Sequence, residues 1–534
     1  MTRDPRAFFA LDIGGATVSA ALIIRIAGRW RLLGSLALPA AVGPVAVSRH
    51  LAERAVHADP GLASAAGIDP SQLDRVPSVT VRSHAPRRMA VVAASQRALG
   101  PLAGAAARSG WSVTAGSVEA LDPLAMSQLL LDPGVDAILA GAGDPPGADE
   151  RSPLPELAAL VAAVAERRPD LTVILAGAMT DELPRFPDAA GREGEILLGA
   201  AAGSGTDARG LDELLTDLAL PPDDARRAAA IGVETFAEVV GRRVEYVEIG
   251  YDAGMRAIAG PSLGRDERDR RAAFVADAAL VPPGADDLIL DRVLGWSTLP
   301  IDRHRLRDRL RELRSAPWAD AGGDGAMVRL AAARAALGRL MDATLELGAG
   351  PAPDLLIAAG GAWSVAPGPV IALAVADVVR RAGATQYAFD HARLLGPLGS
   401  IADPDERAEV IADLADDMLV PVGSVVTPAG LRAGRSAGRL VVHAGTGVTE
   451  LDLVPGGLEL VDLPPGQTAV AEFRFRDTVR LGTRGRHFAV DVAGGLGGLL
   501  VDLRDVPMRL PDRHERRREL LEAWQSSLWT GHEG

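Results

Sequence analysis

Leu11-Asp12-Ile13-Gly14-Gly15-Ala16-Thr17 is the stretch that decides how this chain folds. It joins two apolar runs, residues 8–13 and 18–26, with the composition of strands. Two glycines at the junction let the backbone turn tightly and approach a ligand without a Cβ. Successive N–H groups in such a turn form a concavity that holds anions. Thr17 adds a hydroxyl donor for a phosphate oxygen. Asp12, at the strand end, is placed to hold Mg²⁺ through water, because that ion keeps much of its hydration. The alternative is a plain hairpin closed by a glycine turn. Phosphate binding is the expectation, with Gly14, Gly15, Ala16 and Thr17 as the cradle and Asp12 as the acid.

Outward from this turn, residues 30–36 continue the strand-rich start, and residues 39–86 are Ala- and Pro-rich without a clear period. From Met89 apolar strands alternate with helical patterns as far as residue 176, which predicts a parallel sheet covered on both faces. Residues 243–249 and 255–259 form a second strand-rich start, so a duplicated lobe is one reading. Residues 265–350 are charged and helical. Residues 354–359 are an apolar strand ending at Gly360-Gly361, and a helix is expected over 364–381. An acidic helix over 403–418 could serve as a hinge. Beyond Val420 come short strands separated by Gly/Pro-rich turns, which predict an antiparallel barrel or sandwich. An Arg/Glu-rich helix over 512–529 is expected to present a solvated face.

Composition removes whole mechanisms. The chain has 534 residues, enough for two to four domains. Its net charge of −14 argues against a broad nucleic-acid footprint, which needs a basic surface. There is no Cys, which excludes disulfides, zinc–thiolate sites and cysteine nucleophiles. No Lys occurs, which excludes a Walker A or Schiff-base lysine. The histidines show neither HExxH nor HxH spacing, so no zinc site is supported. No signal peptide or membrane span is expected, because the first apolar run is broken by Asp12 and two glycines. A cytoplasmic location follows as an expectation.

Three further patterns read as ordinary structure. Gly494-Gly495-Leu496-Gly497-Gly498 lacks the last glycine of a dinucleotide fingerprint and lies among strands, so it reads as turns. Asp390-His391 is a loop pair or a proton relay. Gly260-Pro261-Ser262-Leu263-Gly264 fits the pattern of a nucleophile elbow, but a charged stretch follows where an elbow wants a buried helix.

The first glycine turn resembles the first phosphate loop of the actin, heat-shock ATPase and sugar-kinase superfamily. Over residues 7–510 the order of motifs resembles one branch of it, the glutamate mutase L family. In that family a glycine-and-aspartate loop follows a strand, as at Ala140-Gly141-Ala142-Gly143-Asp144. A later strand ends in Ala-Gly, as at Ala176-Gly177, with Asn next where this chain has Ala178. A second phosphate loop should open the second lobe. Its match is Val247-Glu248-Ile249-Gly250-Tyr251-Asp252-Ala253-Gly254, which keeps an acid, Ile and Gly and then departs. Glu248 stands where Asp is expected, and Tyr251-Asp252 replace Gly-Ala. The adenosine-side glycines resemble Gly360-Gly361.

The resemblance implies an α/β fold. Two actin-like (ribonuclease-H-like) lobes would occupy residues 1–240 and 241–417, with an α/β insertion at about 87–180. A C-terminal antiparallel β domain would span 418–510, and a charged helical tail 511–534. It implies ATP and Mg²⁺ as cofactors, with Asp12, Glu248, Asp252 and Asp144 as candidate catalytic acids. Gly14, Gly15, Ala16, Thr17, Gly250, Gly360 and Gly361 would cradle the nucleotide, and Asp12 would face the metal. The implied role is accessory and chaperone-like, assisting the subunits of an adenosylcobalamin-dependent mutase. A weak ATPase, a small-molecule kinase or hydantoinase-like amidohydrolase, and a scaffold without turnover remain open. A Tyr at the second loop would crowd a γ-phosphate.

Overall fold

The computed structural model describes residues 6–143, 145–147, 150–186, 193–202, 206–261, 271–283, 286–318, 322–349, 352–432, 436–445 and 447–529. Asp144, and Ser262, Leu263 and Gly264 of the elbow-like pattern, lie outside the described residues. The chain divides into two compact units. One comprises residues 1–84, 223–272 and 278–534, the other residues 85–222 and 273–277.

The first unit is built around β1 (Ala7–Ile13), which pairs antiparallel with β2 (Thr17–Ile26) and parallel with β4 (Ser78–Arg82). β3 (Arg29–Pro39) adds antiparallel to β2, giving the order β3-β2-β1-β4. β1 is apolar along most of its length because both of its faces are covered. On one face Phe9, Leu11, Leu22 and Ile24 share a core with Val47 and Leu51 of helix Pro44–Ala58. On the other, Phe8 meets Trp30 edge to face at 5.1 Å. Helix Ala225–Val240 begins on Asp224, whose carboxylate accepts from Arg226 N, and ends at Gly241 in the left-handed region. Helix Leu395–Gly399 touches this helix, β1 and β4.

The second unit has an all-parallel sheet. Its strands are β5 (Arg88–Ala93), β6 (Ser112–Ser117), β7 (Ala137–Gly141), β8 (Thr172–Ala176) and β9 (Ile196–Gly199), in the order β6-β5-β7-β8-β9. The alternating strand and helix pattern predicts this sheet. The glycine loop after β7 is filled from within: Glu150 accepts from Gly143 N, Gly147 N and Ser95 Oγ.

The strand pattern of the first lobe then recurs. β10 (Val244–Ile249) pairs antiparallel with β11 (Gly254–Ala259) and parallel with β13 (Leu355–Ala359). With β12 (Arg271–Val275), β14 (Gly383–Phe389) and β15 (Val420–Thr427), the order is β12-β11-β10-β13-β14-β15. A central strand with a hairpin neighbour on one side and a parallel crossover on the other thus appears twice. Both lobes are ribonuclease-H-like. Helix Gly368–Val378 begins four residues later than the sequence pattern suggests, because the short turn Gly361–Trp363 intervenes.

β16 (Gly438–Ala444), β17 (Gly447–Leu453), β19 (Thr468–Leu481) and β20 (Thr483–Ala493) form the antiparallel sheet β17-β16-β19-β20. β18 (Leu458–Val461) and β21 (Leu499–Asp502) instead extend the second lobe's sheet beyond β15. Phe473 and Leu440 of the antiparallel sheet share a core with Val426 of β15 and Val501 of β21. The glycine run 494–498 serves this packing. Gly497 N donates to Val422 O at 2.6 Å, and a Cβ on Gly497 would lie 2.8 Å from that oxygen.

A buried ionic network fastens these strands to the second lobe. Asp377 on helix Gly368–Val378 accepts from Arg334 Nε and from Arg504 Nη1, each at 2.7 Å. Arg504 also binds Asp502 at 2.7 Å, and Arg380 pairs with Asp502. The tail helix His514–Trp529 is anchored rather than wholly solvated: Arg504 stacks 4.5 Å from the Trp524 ring centre, and Leu521 and Leu528 are buried.

Candidate functional site

The two lobes present the same turn to one another. In the first, Gly14 N donates to Thr17 O at 2.9 Å, and in the second Gly250 N donates to Ala253 O at 2.9 Å. The ladders close identically, Ile13 opposite Val18 and Ile249 opposite Gly254. A Cβ on Gly14 would lie 3.0 Å from Thr17 O, and one on Gly250 would lie 2.8 Å from Ala253 O. The second turn therefore requires glycine at its first position, and the first turn leaves little room there for anything larger. Asp12 corresponds to Glu248, Gly15 to Tyr251, Ala16 to Asp252, and Thr17 to Ala253.

At Gly15 and Tyr251 the copies diverge in shape. A Cβ on Gly15 would lie 2.5 Å from Asp252 Oδ2 and 3.2 Å from Tyr251 Cδ1. The side chains of the second turn thus reach across and fill the space that Gly15 leaves open. They are held there: Tyr251 Oη donates to Arg314 O at 2.6 Å, and Arg314 stacks 4.6 Å from the Tyr251 ring centre. Arg314 also donates to Asp252 Oδ1 at 3.3 Å and to Val281 O at 2.7 Å.

This is the actin-like two-lobe fold. Strand order and the paired turns define it. No family model matches the chain, and no curated protein matches it either. Among solved structures it is similar to component A of (R)-2-hydroxyglutaryl-CoA dehydratase from Acidaminococcus fermentans, at 8% identity and a TM-score of 0.26, over 75% of this chain and 99% of that one. It is also similar to the activator of 2-hydroxyisocaproyl-CoA dehydratase from Clostridium difficile with bound ADPNP, at 11% identity and a TM-score of 0.26, over 76% of this chain and 96% of that one. It is similar to acetate kinase from Entamoeba histolytica at 11% identity and a TM-score of 0.21, over 70% of this chain and 86% of that one.

Between the turns lies a cavity of about 420 Å³, whose lining belongs entirely to the first unit. Asp12, Gly14, Gly15, Ala16, Thr17, Glu248, Gly250, Asp252, Gly360 and Gly361 all border it. Asp144 lies outside the described residues. Gly360, with φ 93°, packs so closely on Ile249 O that a Cβ has no room. The sequence reading missed Arg226, Trp318 and Arg393, which also line the cavity. None of them sits in a local motif.

Buried acids make the floor of the cleft electrostatically tense. Burial pushes Asp12 above the usual carboxylate range, Arg393 opposes the rise and Asp224 adds to it. Burial and the charge of Asp12 raise Glu248 to about 7. Asp390 is raised to about 6, chiefly by burial, although Leu394 N and Leu395 N donate to its carboxylate. Burial and Glu248 hold the Tyr246 phenol far above its ordinary value, and its hydroxyl donates to Glu248 Oε2 at 3.3 Å. A carboxyl that titrates near neutral pH can give or take a proton, which makes Glu248 the acid–base candidate here.

Cations balance this floor from two directions. Arg226 makes a two-pronged pair with Asp224, at 2.7 Å and 3.0 Å, and donates to His84 O at 3.1 Å. Arg393 Nη1 donates to Thr17 Oγ1 at 2.8 Å and lies 3.7 Å from Asp12 Oδ2. The other oxygen of Asp12 is buried and has no hydrogen-bond partner. Among the described residues no group of three His, Asp or Glu converges as a metal site. Of the carboxylates that border the cleft, Asp12, at the first turn, is already faced by a guanidinium.

Proposed function

We propose that this chain binds ATP between its two glycine turns, hydrolyses it slowly, and uses the bound nucleotide to set the separation of its lobes for a partner protein. The observation that carries the reading is the first turn, Gly14 to Thr17, facing its own structural copy across a cavity of ligand size. Its backbone N–H groups and the Thr17 hydroxyl suit phosphate oxygens. Gly360 and Gly361 give the nucleoside a close approach on the second lobe. Trp318, nearly half exposed at the rim, offers a face on which a base can stack.

Slow turnover follows from the second turn. Hydrolysis needs a positioned water and donors aimed at developing charge. Tyr251 and Asp252 occupy the place where the second turn would grip a γ-phosphate, and Arg314 ties both down. Asp252 is thereby engaged, which disfavours it as the base of a kinase. Asp12, the acid that Mg²⁺ on a nucleotide would meet, is already faced by Arg393. To take the lobes from 1:99 to 99:1, ATP must favour the closed form by about 5.5 kcal/mol.

The partner we assign, on the resemblance of motif order to the glutamate mutase L family, is an adenosylcobalamin-dependent mutase. No helix among the described residues is long and apolar enough to cross a membrane. Calorimetric titration of the full chain with ATP, ADP and GTP tests the nucleotide. Co-migration with a mutase on a sizing column, with and without ATP, tests the partner. Heat-silent titrations with all three nucleotides would reject the reading. ATP binding without any change in partner binding would reject the accessory role alone.

A further inference from the structure

Arg393 lies in the link between β14 and helix Leu395–Gly399, with φ 54°, a backbone region that a side chain other than glycine rarely adopts. The surrounding link over-determines this conformation. The buried Asp390 carboxylate accepts from Leu394 N at 2.9 Å and Leu395 N at 3.2 Å, which fixes the chain on both sides of the arginine. The result is one guanidinium delivered to three points. Nη1 meets the Thr17 hydroxyl of the first turn and lies beside the Asp12 carboxylate. Nη2 lies where a Cβ on Gly361 would be only 3.1 Å away.

Those points border the space that a polyphosphate would enter. A divalent ion at Asp12 would share that space with a fixed positive charge. Mg²⁺ also wants six oxygen ligands at about 2.0–2.1 Å and sheds water reluctantly. A guanidinium stays charged and offers a planar fork that matches phosphate oxygens two at a time.

We propose that Arg393 is the resident cation of this phosphate site, so that a nucleoside triphosphate binds here without a divalent metal, its phosphate oxygens taking the guanidinium from Thr17. This rests on the reading of the cleft as a nucleotide site. Arg393 is a binding residue in this role, contributed by the second lobe's chain to the first lobe's turn. Its engagement by phosphate is then itself a link between nucleotide and lobe position.

The test is calorimetric titration of the full chain with ATP in excess EDTA and again in excess Mg²⁺. Wild type, Arg393→Gln and Arg393→Lys are compared, with each fold checked by circular dichroism. Wild type should bind comparably in both buffers. Arg393→Gln should lose about tenfold or more in EDTA, the worth of a charge-assisted hydrogen bond. Arg393→Lys should lose less, since it keeps the charge without the fork. Wild-type binding that needs Mg²⁺ overturns the proposal and leaves the nucleotide site standing. So does an Arg393→Gln variant that binds like wild type in EDTA. Absence of binding in both buffers removes the nucleotide reading and this proposal together. Should Arg393→Gln fail to fold, the wild-type comparison and Arg393→Lys decide.

Discussion

Gly15 and Tyr251 occupy one position in two copies of a single turn, and the ring of one fills the space left by the other. A Cβ on Gly15 would sit 3.2 Å from Tyr251 Cδ1. The two lobes are alike in strand order, in ladder register and in the hydrogen bond that closes each turn. The differences at this position and the next, where Asp252 stands for Ala16, separate a turn that can cradle phosphate from a turn that plugs the gap.

Replacing the plug should open the cleft. The double variant Tyr251→Gly, Asp252→Ala gives the second turn the Gly-Gly-Ala of the first, with Ala253 still in the place of Thr17. It forfeits the Tyr251–Arg314 hydrogen bond and the cation–π contact, at a cost of about 1–3 kcal/mol in stability. ATP turnover should rise by about tenfold, the scale of one transition-state hydrogen bond gained. Phosphate release measured against wild type decides it. An unchanged rate would show that the plug does not limit hydrolysis.

The raised acids give a pH dependence with a definite sign. Glu248 titrates near 4.5 unfolded and at about 7 folded, so over that range the folded chain holds more protons than the unfolded one. Stability therefore falls as pH rises from about 4.5 to about 7 and is flat above, by an amount on the order of 3 kcal/mol for this group. Asp390, raised to about 6, acts in the same sense at lower pH. Glu248→Gln should flatten the slope and be the more stable protein at pH 8. Urea midpoints at pH 5 and pH 8 check this, and parallel shifts in both proteins would refute the assignment.

The buried network around Asp377 should be costly to break on one side. Asp377→Ala removes the Asp377 carboxylate from Arg334, which is almost wholly buried, and leaves Arg504 with Asp502 alone. A loss of about 3–5 kcal/mol is expected, because an unpaired charge is left in the interior. Chemical denaturation measures it. A loss below about 1 kcal/mol would mean that water reaches the pair.

Trp318 should report on the base. Trp318→Ala is expected to weaken ATP binding by about tenfold, a stacking contribution of 1–3 kcal/mol. It should also remove the tryptophan fluorescence change that ATP produces in wild type. Inorganic triphosphate, which has no base, should bind both proteins equally. If it also weakens with the variant, Trp318 acts on the cleft and not on the base.

Much of the architecture was readable from local pattern. Period and apolar runs gave the strands around residue 12, the alternation of strands and helices from Met89, and the second start near residue 244. The first turn was legible because its constraint is local: glycine at position 14 is favoured by an oxygen three residues away. The same holds for Gly250, which marks the second turn even where its later residues depart.

The rest was decided in three dimensions. That Gly15 faces Tyr251 depends on how two lobes pair, and no spacing along the chain encodes it. Arg393 meets Thr17 across 376 residues of sequence, and an isolated arginine in a loop carries no local signal. The strands after Val420 share one core with the second lobe, because Val426 and Val501 turn their side chains toward Phe473. By itself, the sequence determined which segments become strands, turns and helices, since those follow from backbone sterics and periodicity. Only the tertiary structure decided which charges and side chains fill the cleft, since burial and long-range contact exist only once the chain has folded.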